Sequence, residues 1–198
     1  MFSGIIDAIG EVVASQATPS GRRLSVAAPG YWNGVSAGAS IAIDGVCLTV
    51  TGLTNDVADF DVVAETLRRT TLGDLASGSR VNLQKSLAIG DRVDGHFVQG
   101  HVDAVATVVK IEHDPSDVRW WFAPDAAALP YIIPKGGVAI DGISLTVVSV
   151  SDGMFDVALI PTTLQRTTLG QKAAGSRVNI ETDILARTVV NYLQSMGH

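Results

Sequence analysis

Ile43-Asp44-Gly45-Val46-Cys47-Leu48-Thr49-Val50 returns as Ile140-Asp141-Gly142-Ile143-Ser144-Leu145-Thr146-Val147, a step of 97 positions. Two other blocks keep the same step. Thr66-Leu67-Arg68-Arg69-Thr70-Thr71-Leu72-Gly73 recurs as Thr163-Leu164-Gln165-Arg166-Thr167-Thr168-Leu169-Gly170, and Gly78-Ser79-Arg80-Val81-Asn82 recurs unchanged at 175–179. Gly4-Ile5-Ile6-Asp7-Ala8 matches Gly100-His101-Val102-Asp103-Ala104 at a step of 96, so one residue is gained between. Solenoid units run to roughly 20–50 residues, so a period this long means two tandem domains of one fold. They are expected over 1–90 and 95–183, with the hinge near Leu87 to Gly95 and a tail over 184–198.

Within each copy an Asp-Gly pair sits between alternating apolar runs, the strongest short-range hairpin signal. A two-residue turn at Asp44-Gly45 sets Ile43 opposite Val46, Ile41 opposite Leu48 and Ser40 opposite Thr49. Side chains alternate along a strand, so Ile41, Ile43, Val46, Leu48 and Val50 form a core face. Ser40, Ala42, Cys47 and Thr49 form the other. In the second copy Val138, Ile140, Ile143, Leu145 and Val147 oppose Gly137, Ala139, Ser144 and Thr146. The second face of each hairpin is small and carries no Lys, Arg or Glu. An ordinary solvated sheet face would carry them; a platform for a flat ligand would not.

Further strands are expected at Gly10–Ala14, Arg23–Ala27, Phe60–Ala64 and Arg80–Gln84, with counterparts in the second copy. Thr66 to Arg69 and Thr163 to Arg166 suggest short helical turns opened by a Thr cap. Many short strands in a duplicated pattern give an all-β chain of two small antiparallel barrels. After Asp183, a suitable N-cap, Leu185, Val189, Tyr192 and Met196 recur at helical spacing as one apolar stripe. A helix of about three turns is marginal alone in water, so it must pack on its own barrel or on tails of neighbouring chains. Self-association is expected.

The 198 residues carry 14 Lys and Arg against 20 Asp and Glu, a net charge of −6, which argues against a nucleic-acid footprint. Mean hydropathy is +0.29 and charged residues make up 17%, which excludes a disordered acidic chain. One Cys permits neither an intrachain disulfide nor a Cys-rich zinc site. The first residues lack a basic stretch ahead of the apolar one, so no secretory signal is read. No uncharged apolar run reaches the roughly 18–20 residues of a membrane span. A soluble cytoplasmic protein without metal or nucleic-acid partner is the expectation.

Two positions break the repeat in a chemically suggestive way. Cys47 has Ser144 as its counterpart, and the two are near-isosteric but differ in acidity by several units. His101 stands where the first copy has Ile5. His96 and His101, near Asp94 and Asp103, invite a metal reading, but five apart on a strand they point to opposite faces. No G-x-S-x-G, P-loop or G-x-G-x-x-G motif is present. Trp120-Trp121-Phe122 is explained by barrel packing.

Met-Phe-Ser-Gly-Ile-Ile at the start, both Asp-Gly hairpins, Gly95-His96-Phe97-Val98-Gln99-Gly100-His101-Val102-Asp103, Lys135-Gly136 and the twin Thr-Thr-Leu-Gly blocks resemble the riboflavin synthase family, alpha-chain type, over essentially the whole chain. The resemblance implies two six-stranded antiparallel Greek-key barrels and a C-terminal α-helix that assembles a homotrimer. It implies a dismutation of two 6,7-dimethyl-8-ribityllumazine molecules by four-carbon transfer, giving riboflavin and 5-amino-6-ribitylaminouracil, with no cofactor. The site would lie between barrels of adjacent subunits. Association with lumazine synthase is left open. A non-catalytic lumazine- or flavin-binding antenna of the same fold is the rival, and a reductase flavin barrel would need a nicotinamide domain that is missing.

Carried over by position, the first barrel's pocket would use Gly4-Ile5-Ile6, Cys47-Leu48-Thr49 and Asp61-Val62-Val63-Ala64-Glu65-Thr66. The second would use Gly100-His101-Val102, Lys135, Ser144-Leu145-Thr146 and Ala158-Leu159-Ile160-Pro161-Thr162-Thr163. Thr162 departs from the Glu that many relatives carry there. Phe2, Ser40, Cys47, His101, Ser144, Thr146 and Asp183 match positions tied to catalysis. In that scheme His101, or Ser144 and Thr146 through water, helps remove a 7-methyl proton, while Cys47 or Ser40 assists addition at C7 of the partner molecule.

Overall fold

The computed structural model describes residues 1–113 and 118–197. Twelve strands form two closed six-stranded antiparallel barrels. The first contains β1 (Ala8–Thr18), β2 (Gly21–Ala27), β3 (Ser40–Ile43), β4 (Val46–Thr54), β5 (Val57–Val63) and β6 (Arg80–Lys85). Around the barrel the order is β1-β2-β5-β4-β3-β6. The run β3-β4-β5 is hairpin-connected and β2 returns beside β5, which is a Greek key. The second barrel repeats that order with β7 (Ala104–His113), β8 (Val118–Pro124), β9 (Gly137–Ile140), β10 (Ile143–Ser151), β11 (Met154–Leu159) and β12 (Arg177–Thr182).

The hairpin register follows the Asp-Gly turns as expected. Ile43 pairs with Val46, Ala42 with Cys47, Ile41 with Leu48 and Ser40 with Thr49, and the second copy matches. Asp44 and Asp141 take positive φ there, which Asp tolerates better than most residues. Ile41, Ile43, Val46, Leu48 and Val50 enter the first core with Phe60, Leu72 and Leu83. Val138, Ile140, Ile143 and Val147 enter the second with Trp120, Phe122 and Phe155. Trp120 and Phe122 are stacked inside and serve packing, whereas the intervening Trp121 turns outward beneath Lys110 and Arg119. Register shifts fall at matching points of the two copies, between Val12 and Ala14 and between Val108 and Lys110, and again between Val50 and Gly52 and between Val147 and Ser149. Such bulges add the bend and twist that close a small barrel.

Among the described residues there are three α-helices: α1 (Ala64–Arg69), α2 (Pro161–Arg166) and α3 (Ile184–Ser195). The Thr caps expected for the first two are not used. Val63 and Ile160 occupy the cap positions without a side-chain bond, and Pro161 opens α2 with its preset φ. Thr70 instead caps the following 3₁₀ turn by accepting from Leu72 N–H. Asp183 does cap α3, accepting from Leu185 N–H at 3.0 Å. Leu185, Val189, Tyr192 and Met196 are each more than half exposed, so this apolar stripe is not spent on the chain's own barrel. Among the described residues no helix is long and apolar enough to cross a membrane.

The barrels meet about a pseudo-twofold axis. Asn82 Oδ1 accepts from Thr168 N–H at 2.8 Å while its Nδ2 donates to Asp141 O at 3.0 Å. Asn179 does the same to Thr71 N–H and Asp44 O, both at 2.8 Å. The two Asp-Gly turns touch so closely that a β-carbon at Gly45 would lie 2.6 Å from Gly142 N. Phe2 and Val98 form an antiparallel bridge and are both buried. Hence the Asn that ends each repeated Gly-Ser-Arg-Val-Asn block holds its own Asp-Gly turn through its backbone and the opposite copy through its side chain.

Candidate functional site

The small-residue face of each hairpin is covered by a strap from the other copy. Ser144 N–H donates to Gly4 O, and Cys47 N–H donates to Gly100 O, each at 2.8 Å. Both contacts demand glycine: φ is +76° and +80°, and an added β-carbon would come 2.6 Å from Ser144 Cβ or 2.5 Å from Cys47 Cβ. Ile6 packs on the second core and Val102 on the first. The expected grouping is corrected accordingly. Gly4-Ile5-Ile6 belongs with Ser144-Leu145-Thr146, and Gly100-His101-Val102 with Cys47-Leu48-Thr49, because each strap crosses the dyad before its own barrel begins.

Beside each strap the sheet opens. The β4–β5 ladder runs from Thr54–Val57 to Val50–Phe60 and stops. The β10–β11 ladder stops likewise at Val147–Val157. Hydrogen-bonding groups alternate in direction along an antiparallel strand, and Cys47 N–H already points away from β3 toward the strap. Thr49 and Thr146, two residues on, therefore turn their N–H and C=O into these gaps, and both residues are exposed. Val63 and Ile160, 54% and 60% exposed, provide apolar surface on the far sides. Each gap thus combines free backbone donors and acceptors with small polar and apolar side chains.

The first gap is bounded by Asp61, Ala64, Glu65 and the half-buried Thr66. Arg23 holds Asp61 through a two-pronged pair at 2.7 and 2.9 Å and lowers its pKa. Hydrogen bonds from Arg69 and Arg68 do the same for Glu65. The second gap has Ala158, Pro161 and Thr162, all exposed, with Thr163 half-buried, and no carboxylate at the Glu65 position. Leu48, Val62 and Leu159 are buried in the cores, so only their backbones can contribute. Lys135 is exposed near Thr146, with φ +68° where the first copy has Gly38; Lys135 N–H and Gly38 N–H make equivalent 2.8 Å bonds to Val147 O and Val50 O.

Of the expected catalytic residues, Cys47 and Ser144 are half-buried under the straps, Ser40 is half-buried opposite Thr49, and His101 is exposed on the strap beside Cys47. Phe2 offers no surface to a ligand. It is fully buried with Ala42, Val98, Ala139 and Cys47, so it acts by fixing the straps. Asp183 serves as the α3 cap and sits near enough to His96 to favour its charged form, against the larger effect of burial, which lowers that imidazole's pKa.

His96 is a neighbour of Ser144 that residue spacing did not single out. Its Nδ1 lies 2.6 Å from Ser144 Oγ. Its ring sits 3.0–3.2 Å from where a β-carbon on Gly137 would be, and Gly137 is the counterpart of Ser40. The missing side chain there was the only trace in the sequence. Gln84 and Glu181, one repeat apart, were also missed; they bind the straps from below. Among the described residues, no group of three or more His, Cys, Asp or Glu could hold a metal ion.

Comparison with known proteins agrees with this geometry. The lumazine binding domain family matches residues 3–85 and 99–183. Riboflavin synthase of Chlamydia pneumoniae is 44% identical over all of this chain and 99% of its own length. That of Escherichia coli (strain K12) is 41% identical over 98% of this chain and 92% of its own. LumP crystallised with riboflavin superposes with a TM-score of 0.84 at 26% identity, covering 92% of this chain and 99% of that one. The chain therefore belongs to the riboflavin synthase family of paired lumazine-binding domains.

Proposed function

We propose that the two gaps are seats for two molecules of 6,7-dimethyl-8-ribityllumazine, which the protein converts to riboflavin and 5-amino-6-ribitylaminouracil by moving a four-carbon unit from one to the other. The observation that carries the reading is the pair of matching gaps, each with a free Thr backbone (Thr49, Thr146), an apolar wall (Val63, Ile160) and a glycine strap. A planar ring edged with donors and acceptors fits an unpaired strand edge. The ribityl chain then falls toward Asp61 and Glu65 in the first seat and toward Thr162 in the second.

The reactants are two copies of one compound and the products share out their atoms, so the exchange calls for no external oxidant or cofactor. Alignment of two reactants is worth roughly 7–11 kcal/mol of barrier, whereas a positioned acid or base contributes about 10²–10⁴-fold. The sparse set of ionisable groups at the seats is consistent with that weighting. His101 stands at the first seat and the His96–Ser144 pair at the second. In the proposed sequence one of these takes a proton from the 7-methyl group of one molecule, while Cys47 or Ser40, or a water they hold, assists addition at C7 of the other.

Within one chain the space between the two hairpins is filled by Phe2, Val98, Ala42 and Ala139, leaving no room there for two stacked rings. The reactive pair is therefore assigned to the first seat of one chain and the second seat of another. The exposed α3 stripe supports a homotrimer held by those helices. Incubation with the lumazine tests the function: riboflavin and the diaminouracil should form in equal amounts. Recovery of unchanged lumazine would instead identify a binding protein. Sedimentation with and without residues 184–198 tests the assembly.

A further inference from the structure

Positions 84 and 181 are the same point of the repeat, one an amide and the other a carboxylic acid. Gln84 Oε1 accepts from Gly4 N–H at 3.0 Å, and its Nε2 donates to Ser3 Oγ at 2.9 Å. Glu181, 3% exposed, accepts from three successive backbone N–H groups: Gln99 at 2.6 Å, Gly100 at 2.8 Å and His101 at 2.9 Å. Resting on the two-seat reading, we infer that Glu181 is the positioning residue of the first seat, holding Gly100 against Cys47 and His101 beside it from within the second barrel.

The chemistry of the two side chains separates their roles. A carboxylate has two oxygens and only accepts, so it can satisfy three donors; an amide has one acceptor oxygen and must place its N–H₂ elsewhere. Bonds to an ionised acceptor are about twice as strong as neutral ones. The strap over the first seat is therefore held more rigidly than its twin over the second. Burial raises the Glu181 pKa and the three N–H bonds oppose that. The Met1 ammonium also favours the ionised form. His101 on the strap, the Asp103–Arg187 pair and Asp183 are charged or titratable groups on the adjoining segments.

Glu181 touches no substrate, so its effect must pass through the strap and be confined to one seat. Glu181→Gln copies what position 84 already carries, which the same fold accommodates. Amide exchange at Gln99, Gly100 and His101 is expected to rise by about tenfold or more on losing a charged acceptor, with Ser3, Gly4 and Ile5 unchanged. Riboflavin should protect residues 47–49 only at higher concentration than in the parent chain, while protection of 144–146 keeps its parent affinity. Turnover should fall in kcat by about tenfold with a smaller change in KM, the signature of lost transition-state alignment. Glu181→Asp, which keeps the charge but withdraws the oxygens, should give the same seat-selective pattern in weaker form. Equal weakening of both hairpins, or unchanged exchange at 99–101, would overturn the inference alone. Absence of riboflavin protection at both hairpins of the parent chain would overturn the two-seat reading and the inference with it.

Discussion

The two barrels share strand order, hairpin register, bulge positions and even the Asn that reaches across the dyad, yet they differ at several positions on and behind the two hairpin faces. Cys47 has Ser144 as its counterpart, Ser40 has Gly137 with His96 in the vacated space, Ile5 has His101, Glu65 has Thr162 and Gln84 has Glu181. The turns, bulges and dyad contacts are alike in both copies, whereas these side chains are not. The proposed exchange between two identical molecules would use this division, since equal binding must be combined with unlike chemical roles.

The comparison is broken most severely at the shared centre. Phe2→Ala should remove turnover from both seats together and cost about 3–5 kcal/mol of stability, the usual penalty for emptying a buried aromatic site. Thermal unfolding beside an activity assay checks it. A loss confined to activity would mean that Phe2 acts directly on substrate after all.

Symmetry itself is tested next. Asn82→Ala and Asn179→Ala each strand a buried Thr N–H in the opposite barrel, at about 1–3 kcal/mol per unsatisfied group. Denaturant unfolding should give nearly equal losses for the two. A clearly unequal pair would show that the barrels do not contribute equally to their contact.

Divergence at the seats should appear in catalysis alone. Cys47→Ser makes the first seat resemble the second, and is expected to leave unfolding unchanged while lowering turnover by about a hundredfold, at the low end of acid–base contributions. Turnover equal to that of the parent chain would remove the thiol from the mechanism.

The smallest effect sharpens a buried contrast. Asp44 and Asp141 lie buried at the dyad, and among the described residues Lys172 Nζ forms an ion pair with Asp141, at 3.2 Å, and not with Asp44. Burial, with the neighbouring Asp141 charge, raises Asp44 well above the usual carboxylate range; Asp141 is raised too, but Lys172 opposes the shift. A carboxyl whose folded pKa is raised stabilises the fold below its unfolded pKa, and that contribution is lost as pH rises toward the folded value. Asp44→Asn keeps the acceptor for Asn82 N–H, so it should flatten this loss and raise Tm at pH 8, each kcal/mol being worth about 2–4 °C for a chain of this size. Asp141→Asn, which removes the ion pair with Lys172, should not. Melting curves at acid and mildly alkaline pH distinguish them.

Much of this was legible in the residues because it is local. The duplication, the two Asp-Gly turns, the inward face of each hairpin, the α3 cap at Asp183 and its apolar stripe all follow from short-range geometry, a period of two along strands and of 3.6 along helices. Tertiary structure alone decided which strap covers which hairpin, why Phe2 is buried, that His96 fills the space left by Gly137, and that Glu181 gathers three N–H groups. Those contacts join residues about 40 to 140 positions apart, and two copies of one sequence give the same local signals whether a strap folds back on its own barrel or crosses to the other. Packing around the dyad resolves that ambiguity: in the crossed arrangement each strap glycine lies against the opposite hairpin and each repeated Asn bonds the opposite barrel.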